Sequence, residues 1–282
     1  MRTHEAIVQG IVQGLTEFLP ISSTAHLRIV PALLGWDDPG AAFTAVIQLG
    51  TLAAVFWYFR SDVMRLTHAA VRLIRLRSFR DDPEAFQVVL MIVGTIPIVV
   101  CGVIFKSLIE TSLRALTVTA IMLIVVGILM AMAEWWSARI AVRETPLRTL
   151  SQVRFWDAVV IGLAQAVALI PGTSRSGSTI TAGLFLGFDR STAARYSFLL
   201  SLPAIFAAGM YQLVKARHTL LASTDDIVNL LIAATVAGIV GYASIAFLLG
   251  YLQRRTMGIF VVYRIALGIM LLVLISRGMI SD

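Results

Sequence analysis

Residues 13–26, with the sequence QGLTEFLPISSTAH, decide the fold of this chain. They combine the acid Glu17, the base His26, four hydroxyl groups and the helix-breaking Pro20 with an otherwise strongly apolar sequence. Hydrocarbon offers no water to a carboxylate or to broken backbone, so such a stretch must be buried in protein or line a wet cavity. The stretch therefore predicts the interior of a membrane protein and a functional site.

The residues on either side of the proline predict a re-entrant hairpin. The arms 5–19 and 25–35 are apolar, but each is shorter than the ~20 residues that a spanning helix needs. Pro20 removes a backbone donor and restricts the residue before it, and Ser22 or Ser23 can cap the second arm. We expect two short helices joined by a turn.

A second stretch, IPGTSRSGST at residues 170–179, repeats this pattern and supplies a cation. Residues 157–188 again show a short arm, a Pro-Gly break, a hydroxyl-rich loop and another short arm. The pattern AxxxGxxQ at residues 6–13 also recurs at residues 158–165. We therefore expect a second hairpin related to the first.

Composition places the whole chain in a membrane. Of its 282 residues, 58% are hydrophobic and 14% are charged, against roughly 25% charged in soluble domains. The net charge of +7 comes largely from arginines clustered between apolar segments, which fits anionic lipid headgroups and not nucleic acid. Cys101 is the one cysteine, so no intramolecular disulfide can form.

Hydropathy predicts an all-α integral membrane protein with six transmembrane helices and the two re-entrant helix–loop–helix hairpins. We treat residues 1–282 as one domain whose two halves cover about residues 1–136 and 150–282. The predicted crossings are 41–59, 84–106, 115–133, 196–214, 227–252 and 257–275.

Loop charge predicts the orientation. The loops 60–84 and 137–155 carry six and four Lys or Arg residues, whereas the turn 106–114 and the loop 215–225 carry two each. The arginine-rich loops should therefore be cytoplasmic and both termini outside. Three crossings separate the hairpins, so the halves have inverted topology, with a site expected at their interface near the midplane.

The first hairpin carries acid–base chemistry. Gln13 and Glu17 are four residues apart and therefore share a helix face. Two roles are open for Glu17: it takes part in catalysis, or it only pairs with a nearby cation. His26 is catalytic or a packing residue. A hydroxyl or the imidazole could attack a substrate while the carboxylate handles the proton. The hydroxyls that could attack, bind phosphate or merely cap the second arm are those of Ser22, Ser23 and Thr24.

The second hairpin predicts anion binding. Glycines allow close backbone approach, a helix N-terminus favours anions, and Arg175 can bind phosphate bidentately or pair with Glu17. Arg264 lies inside the last span, and three roles are open for it: it is part of the site, it pairs with a polar group, or it snorkels to the surface. Gln13 and Glu17 could hold a divalent cation together with substrate phosphates. The other predicted phosphate-binding residues of this hairpin are Gly172, Thr173, Ser174 and Ser176.

These motifs resemble the undecaprenyl pyrophosphate phosphatase family, also known for bacitracin resistance, over nearly the whole chain. The matching elements are QGLTE at residues 13–17 with FLPISSTAH after it, and PGTSRSG at residues 171–177. The resemblance implies a multi-pass enzyme of the bacterial inner membrane that hydrolyses undecaprenyl diphosphate to the monophosphate and phosphate. It also implies recycling of the lipid carrier for peptidoglycan, dependence on Mg²⁺ or Ca²⁺, and a site open to the periplasm.

The family's site residues map onto this sequence with two departures. Its acidic pair corresponds to Gln13 and Glu17, its serine to Ser23, its histidine to His26 and its arginine to Arg175. The first acid of the pair is thus a glutamine here, which weakens any scheme that needs two carboxylates. Ala25 also replaces a frequent glycine. Ser23 and His26 both remain open as the nucleophile.

Other functions remain open beside this one. Inverted repeats with broken helices are also a transporter architecture, so a transporter or a lipid-carrier flippase is the main alternative. A non-catalytic lipid-binding scaffold would leave the acid, histidine and arginine unexplained. The expected partners are undecaprenyl diphosphate and membrane lipids, and we expect no binding of nucleic acid. The sequence leaves open whether the protein forms a homodimer.

Overall fold

The computed structural model describes residues 1–76, 82–142 and 146–280, and over these residues the chain is helical, with short turns between the helices. The helices are α1 (Thr3–Phe18), α2 (Ser23–Leu34), α3 (Gly40–Tyr58), α4 (Arg60–Leu76), α5 (Pro83–Ile104), α6 (Lys106–Glu110), α7 (Leu116–Val142), α8 (Phe155–Val167), α9 (Arg175–Phe185), α10 (Arg190–Lys215), α11 (Arg217–Leu220), α12 (Thr224–Leu252) and α13 (Gly258–Ser276). Short 3₁₀ turns at Ser112–Arg114 and Leu150–Gln152 complete the described elements.

Six of the described helices, α3, α5, α7, α10, α12 and α13, are long and apolar enough to cross a membrane. The six predicted spans are thereby confirmed as helices, and the protein is a multi-pass membrane protein. Three of them, α7, α10 and α12, are longer than predicted. α7 continues past Glu134 because Arg190 binds that carboxylate at 2.6 Å, and α10 begins at Arg190 because Asp189 accepts the backbone N–H of Thr192 at 2.9 Å.

The loop predicted at residues 60–84 is wrong over its first part, because residues 60–76 form α4. Arg72 donates to Asp82 and Glu84, both at 2.8 Å, and so anchors α4 to the start of α5. These hydrogen bonds from Arg72, followed by those from backbone amides, hold the pKa of Asp82 at about 2. The turn predicted at residues 106–114 is also partly helical, while Arg77, Arg80 and Arg143 lie outside the described residues.

The short helices lie against long helices that are distant in sequence. α1 packs along α12, and α8 packs along α5. At the second contact the helix backbones touch, because a Cβ on Gly162 would come within 2.5 Å of the Gly94 carbonyl oxygen. Such small-residue contacts let membrane helices approach closely without relying on the hydrophobic effect. The packing holds the ends of α1 and α8 in fixed positions.

The largest buried apolar cluster surrounds the two places where short helices meet. Phe18 and Ile21 flank the first turn, and Ile180 of α9 and Phe260 of α13 belong to the same cluster. Phe18 and Ile180 are 2% and 0% exposed. Polar groups of the turns are therefore enclosed by close-packed side chains, where unpaired groups are costly.

Candidate active site

Each pair of short helices is joined by a turn that ends in a serine with unusual backbone geometry. α1 ends at Phe18 and α2 begins after Ser22, whose φ is +77°; α9 begins after Ser174, whose φ is +69°. Among the described residues, these are the two positive-φ positions that are not glycine. Such conformations cost roughly 1–3 kcal/mol each and persist where the surroundings impose them. Both turns are therefore held in place from outside.

Arg264 holds the two turns together. Its Nη1 donates to the Pro20 carbonyl of the first turn at 3.1 Å, and its Nη2 donates to the carbonyls of Gly172 and Thr173 in the second turn at 2.8 and 2.9 Å. Further contacts reach the carbonyls of Leu123 and Met122 in α7, both at 3.3 Å. The side chain is 0% exposed, so the snorkelling alternative is wrong and the pairing with polar groups is confirmed. Phosphate binding by Arg264 stays a prediction.

Glu17 is the centre of the contact between the two hairpins. Its Oε2 accepts a hydrogen bond from the Ser23 hydroxyl at 2.7 Å and from Gln13 Nε2 at 2.9 Å. Its Oε1 is paired with Nη2 of Arg175. The Glu17 side chain is 3% exposed and that of Arg175 is 17% exposed. A buried carboxylate thus lies between a hydroxyl of one hairpin and a guanidinium of the other.

His26 lies in the same hairpin as Ser23, but its ring faces other partners. Nδ1 lies 2.7 Å from the Ser22 carbonyl oxygen, and Nε2 lies 2.6 Å from the hydroxyl of Tyr263. A carbonyl oxygen can only accept, so Nδ1 carries a proton; when the ring is neutral, Nε2 therefore accepts the Tyr263 hydroxyl. The two rings are stacked, with centroids 5.7 Å apart and an interplanar angle of 10°. Both ring nitrogens are therefore engaged.

The remaining hydroxyls of the two turns mainly secure the turns themselves. Ser176 donates to the Leu19 carbonyl at 3.2 Å, and so links α9 to the first turn. Ser174 accepts the Gly177 amide at 3.1 Å as the cap of α9, and the hydroxyls of Ser22 and Thr24 lie 3.1 Å apart. Ser174 thus caps α9, whereas Ser22 precedes α2 without a side-chain capping hydrogen bond, so the predicted capping of the second arm by Ser22 is wrong. Phosphate binding by these hydroxyls stays a prediction.

Thr173 and Gly172 lie deepest in the second turn. Thr173 is 0% exposed and its hydroxyl oxygen has no hydrogen-bond partner. Gly172 has φ +89°, and a Cβ there would lie 2.3 Å from the Thr119 carbonyl oxygen. Glycine is therefore required at this position both for the backbone conformation and for the approach of α7.

The sequence matches one protein family over most of its length. Residues 6–270 match the family model described as bacitracin resistance protein BacA. The chain belongs to this family. It is 54% identical to an undecaprenyl-diphosphatase of Prosthecochloris aestuarii over 99% of both chains, and 54% identical to one of Chloroherpeton thalassium over 97% of both. It is also 52% identical to an undecaprenyl-diphosphatase of Pelodictyon phaeoclathratiforme over the full length of both chains.

Within this member of the bacitracin resistance family, Gln13 and Glu17 fit a hard divalent cation. The buried Oε1 of Gln13 has no hydrogen-bond partner, and it belongs to the side chain whose Nε2 binds Glu17. Such cations take oxygen ligands, and Mg²⁺ often uses one or two carboxylates together with substrate phosphates. In the described part of the chain no group of three or more His, Cys, Asp or Glu residues could hold a metal. The two residues are too few to hold a cation by themselves, so a cation here would need further oxygen ligands from phosphate and water.

A cavity of about 510 Å³ opens beside the N-terminal half of α1. Its lining includes Glu5, Gln9 and Asp38. Gln9 is 2% exposed, and its Oε1, like that of Gln13, has no partner. Positions 9, 13 and 17 share one helix face, so a buried polar stripe leads from this cavity to Glu17.

Sequence reasoning did not find Tyr263. Its hydroxyl approaches His26 across 237 positions of the chain. A weak signal was present, because Tyr263 directly precedes the buried Arg264 and together they form a polar pair inside an apolar span. A tyrosine within a span is, however, common enough that this pair alone indicates no role.

Proposed function

We propose that this protein hydrolyses undecaprenyl diphosphate to undecaprenyl phosphate and inorganic phosphate, and so recycles the lipid carrier for peptidoglycan synthesis. Family membership and relatives named undecaprenyl-diphosphatase, at 52–54% identity, support this function. The observation that carries it is the Ser23 hydroxyl, which donates to a carboxylate that is itself paired with Arg175. This arrangement supplies a nucleophile, a base and a phosphate-binding cation. Bacitracin resistance follows from the same activity.

Substrate binding changes the partner of Arg175. In the structure, Arg175 is paired with Glu17. A diphosphate carries more negative charge than a carboxylate and accepts the guanidinium bidentately, so it competes for Arg175. Glu17 then keeps its hydrogen bonds from Ser23 and Gln13. Binding therefore moves the guanidinium from the carboxylate to the phosphate in one exchange.

The first chemical step follows from the Ser23 contact. The Ser23 oxygen attacks the terminal phosphorus while its proton passes to Glu17, with which it already shares a 2.7 Å hydrogen bond. The bond between the terminal phosphorus and the bridging oxygen breaks, and undecaprenyl phosphate leaves. Arg175 offsets the charge on the phosphoryl oxygens, which is where phosphoryl-transfer enzymes gain most of their rate. The product on the enzyme is a phosphoserine.

The second step releases phosphate. Water attacks the phosphoserine, the bond from phosphorus to the Ser23 oxygen breaks, and Glu17 returns its proton to that oxygen. The proton of the attacking water leaves through His26, whose Nε2 is the acceptor nitrogen. We favour Ser23 over His26 as the nucleophile because both ring nitrogens of His26 already have partners, whereas Ser23 is paired with a base.

A divalent cation belongs to this proposal. When bound, it would offset the charge of the diphosphate oxygens. The residues that would hold it are Glu17 and Gln13, through the carboxylate and the unpartnered amide oxygen. The glutamine contributes no charge, so much of the coordination would fall to substrate and water.

We also propose that the two hairpins are re-entrant and belong to an inverted repeat. Ser22 and Ser174 occupy the same position before α2 and α9, with φ values of +77° and +69°. The helix contacts also correspond. Gly10 lies against the Ala233 carbonyl of α12, and Gly162 lies against the Gly94 carbonyl of α5. In each comparison the first-half residue and its counterpart are 152 positions apart in the sequence. This correspondence supports a repeat with the site at its interface.

The proposed orientation has the site facing the periplasm of a bacterial inner membrane and both termini outside. It can be tested in cells with a Cys101→Ser background that carries Thr219→Cys or Ser61→Cys, both at exposed positions. A membrane-impermeant thiol reagent should label the first variant in intact cells and the second only after lysis. The reverse pattern would overturn the orientation and leave the activity untouched.

Phosphate release from undecaprenyl diphosphate by the purified protein in detergent tests the activity. We expect release by the wild type and its loss in Ser23→Ala and Arg175→Ala. Radiolabel from the terminal phosphate should remain covalently bound to the wild type after rapid acid quenching, and should be absent from Ser23→Ala. Folded wild-type protein that binds the lipid without releasing phosphate would refute the enzyme and favour the transport alternative.

A further inference from the structure

The imidazole of His26 has little access to water. His26 is 8% exposed, whereas the Tyr263 side chain stacked against it is 42% exposed. The Nε2 lone pair points at the tyrosine hydroxyl, at 2.6 Å. A phosphorus atom cannot reach this nitrogen past the hydroxyl, but a proton can, because a hydroxyl both donates and accepts hydrogen bonds.

The position of Tyr263 is set by the packing of α13 against α2 and α7. Leu267 and Leu271, one and two turns further along the same face of α13, pack in one cluster with Ala25 and Ile29 of α2. The next residue, Arg264, ties α13 to both turns. Several separate contacts of α13 with the rest of the protein therefore fix the position of the Tyr263 hydroxyl beside His26.

We propose that Tyr263 is a catalytic residue in the second step of the reaction, which orients His26 and relays a proton to it. Its ring holds the imidazole plane, and its hydroxyl keeps Nε2 as the acceptor nitrogen. The hydroxyl is also the path by which a proton reaches Nε2. As the attacking water loses its proton to the tyrosine oxygen, the tyrosine passes its own proton to Nε2, and the hydroxyl then accepts a hydrogen bond from the protonated ring. This inference rests on the proposed phosphatase activity.

The two steps of the reaction give the inference a sharp test. The first step uses Ser23 and Glu17, whereas the second step needs His26. Tyr263→Phe keeps the stacked ring and removes the hydroxyl. We expect a first-turnover burst of undecaprenyl phosphate equal to that of the wild type, followed by steady-state turnover at least about 10-fold slower, because general acid–base catalysis supplies ~100-fold or more. The KM for undecaprenyl diphosphate should not rise.

Tyr242→Phe is the matched control. Tyr242 is 39% exposed, lies in α12 and contacts the ring of Tyr58, away from the site. Its substitution should leave both the burst and the steady state unchanged. A general loss of packing on removal of a tyrosine hydroxyl would affect the two variants alike.

His26→Gln carries the same test through a second variant. It should also retain the burst and slow the steady state, and Tyr263→Phe added to it should cause less than a twofold further loss, because the two residues act through one nitrogen. Wild-type steady-state turnover in Tyr263→Phe, equal slowing of burst and steady state, or additive effects in the double variant would each overturn the inference. A wild type without phosphate release would instead refute the proposed function itself.

Discussion

Arg264→Met should lower kcat/KM by about 100-fold to about 1000-fold while the chain stays folded. The guanidinium joins the Pro20 carbonyl of one turn to the Gly172 and Thr173 carbonyls of the other, at 3.1, 2.8 and 2.9 Å. At the low end of the range for a charged donor, about 1.5 kcal/mol each, three hydrogen bonds amount to about 4.5 kcal/mol. Because each 1.36 kcal/mol is a factor of ten in rate, losing this amount from the transition state corresponds to about 1000-fold, the larger of our two figures.

The lower limit comes from geometry. If the turns separate by about 1 Å once their common donor is gone, that misplacement alone costs about 100-fold in rate. The free energy of unfolding should change less than these bonds suggest. Methionine fills much of the same volume, and removing a buried charge regains a desolvation cost of several kcal/mol. The expected signature is therefore lost activity with a nearly unchanged unfolding temperature.

Steady-state phosphate release and thermal unfolding, both in detergent, measure the two effects. Arg264→Lys keeps the charge but replaces the planar fork with a single ammonium group, so its kcat/KM should fall between those of wild type and Arg264→Met. Arg277→Met, at the exposed end of α13, is the control and should match the wild type. Wild-type kcat/KM in Arg264→Met would refute this reasoning. A raised KM at unchanged kcat would show instead that Arg264 binds the diphosphate.

Three further predictions follow from single contacts. Gly162→Ala should lower the free energy of unfolding by about 1–3 kcal/mol, because its Cβ would come within 2.5 Å of the Gly94 carbonyl oxygen. Gly250→Ala, whose Cβ would have no atom within 4 Å, should leave the free energy of unfolding unchanged. Thermal unfolding of both variants in detergent tests this difference. Arg175→Lys should lower kcat/KM about 10- to 100-fold by losing one charge-assisted hydrogen bond, and unchanged phosphate release would contradict bidentate binding. Chelation with EDTA should abolish phosphate release and Mg²⁺ or Ca²⁺ should restore it; full activity in EDTA would rule out the cation assigned to Glu17.

Local pattern was sufficient for the helical framework. Each of the six spans follows from some twenty apolar residues, because the free energy of transfer into hydrocarbon depends on the side chains of the segment itself. The breaks at Pro20 and Pro171 are local as well, since proline removes a donor within its own helix. α4 was missed because an arginine-rich segment between spans looks like a loop until its partners are known. Arg72 meets Asp82 and Glu84 only when α4 has folded back on α5.

Sequence alone also determined the chemical inventory of the site: an acid, a hydroxyl, an imidazole and a guanidinium on two broken hairpins. Tertiary structure decided how these groups are paired. Glu17 accepts a hydrogen bond from Ser23 and pairs with Arg175. His26 contacts the Tyr263 hydroxyl, and Arg264 donates to carbonyls of both turns. Periodicity and spacing describe each helix by itself. Contacts between residues more than 150 positions apart depend on how the helices pack, and that packing is a property of the whole folded chain.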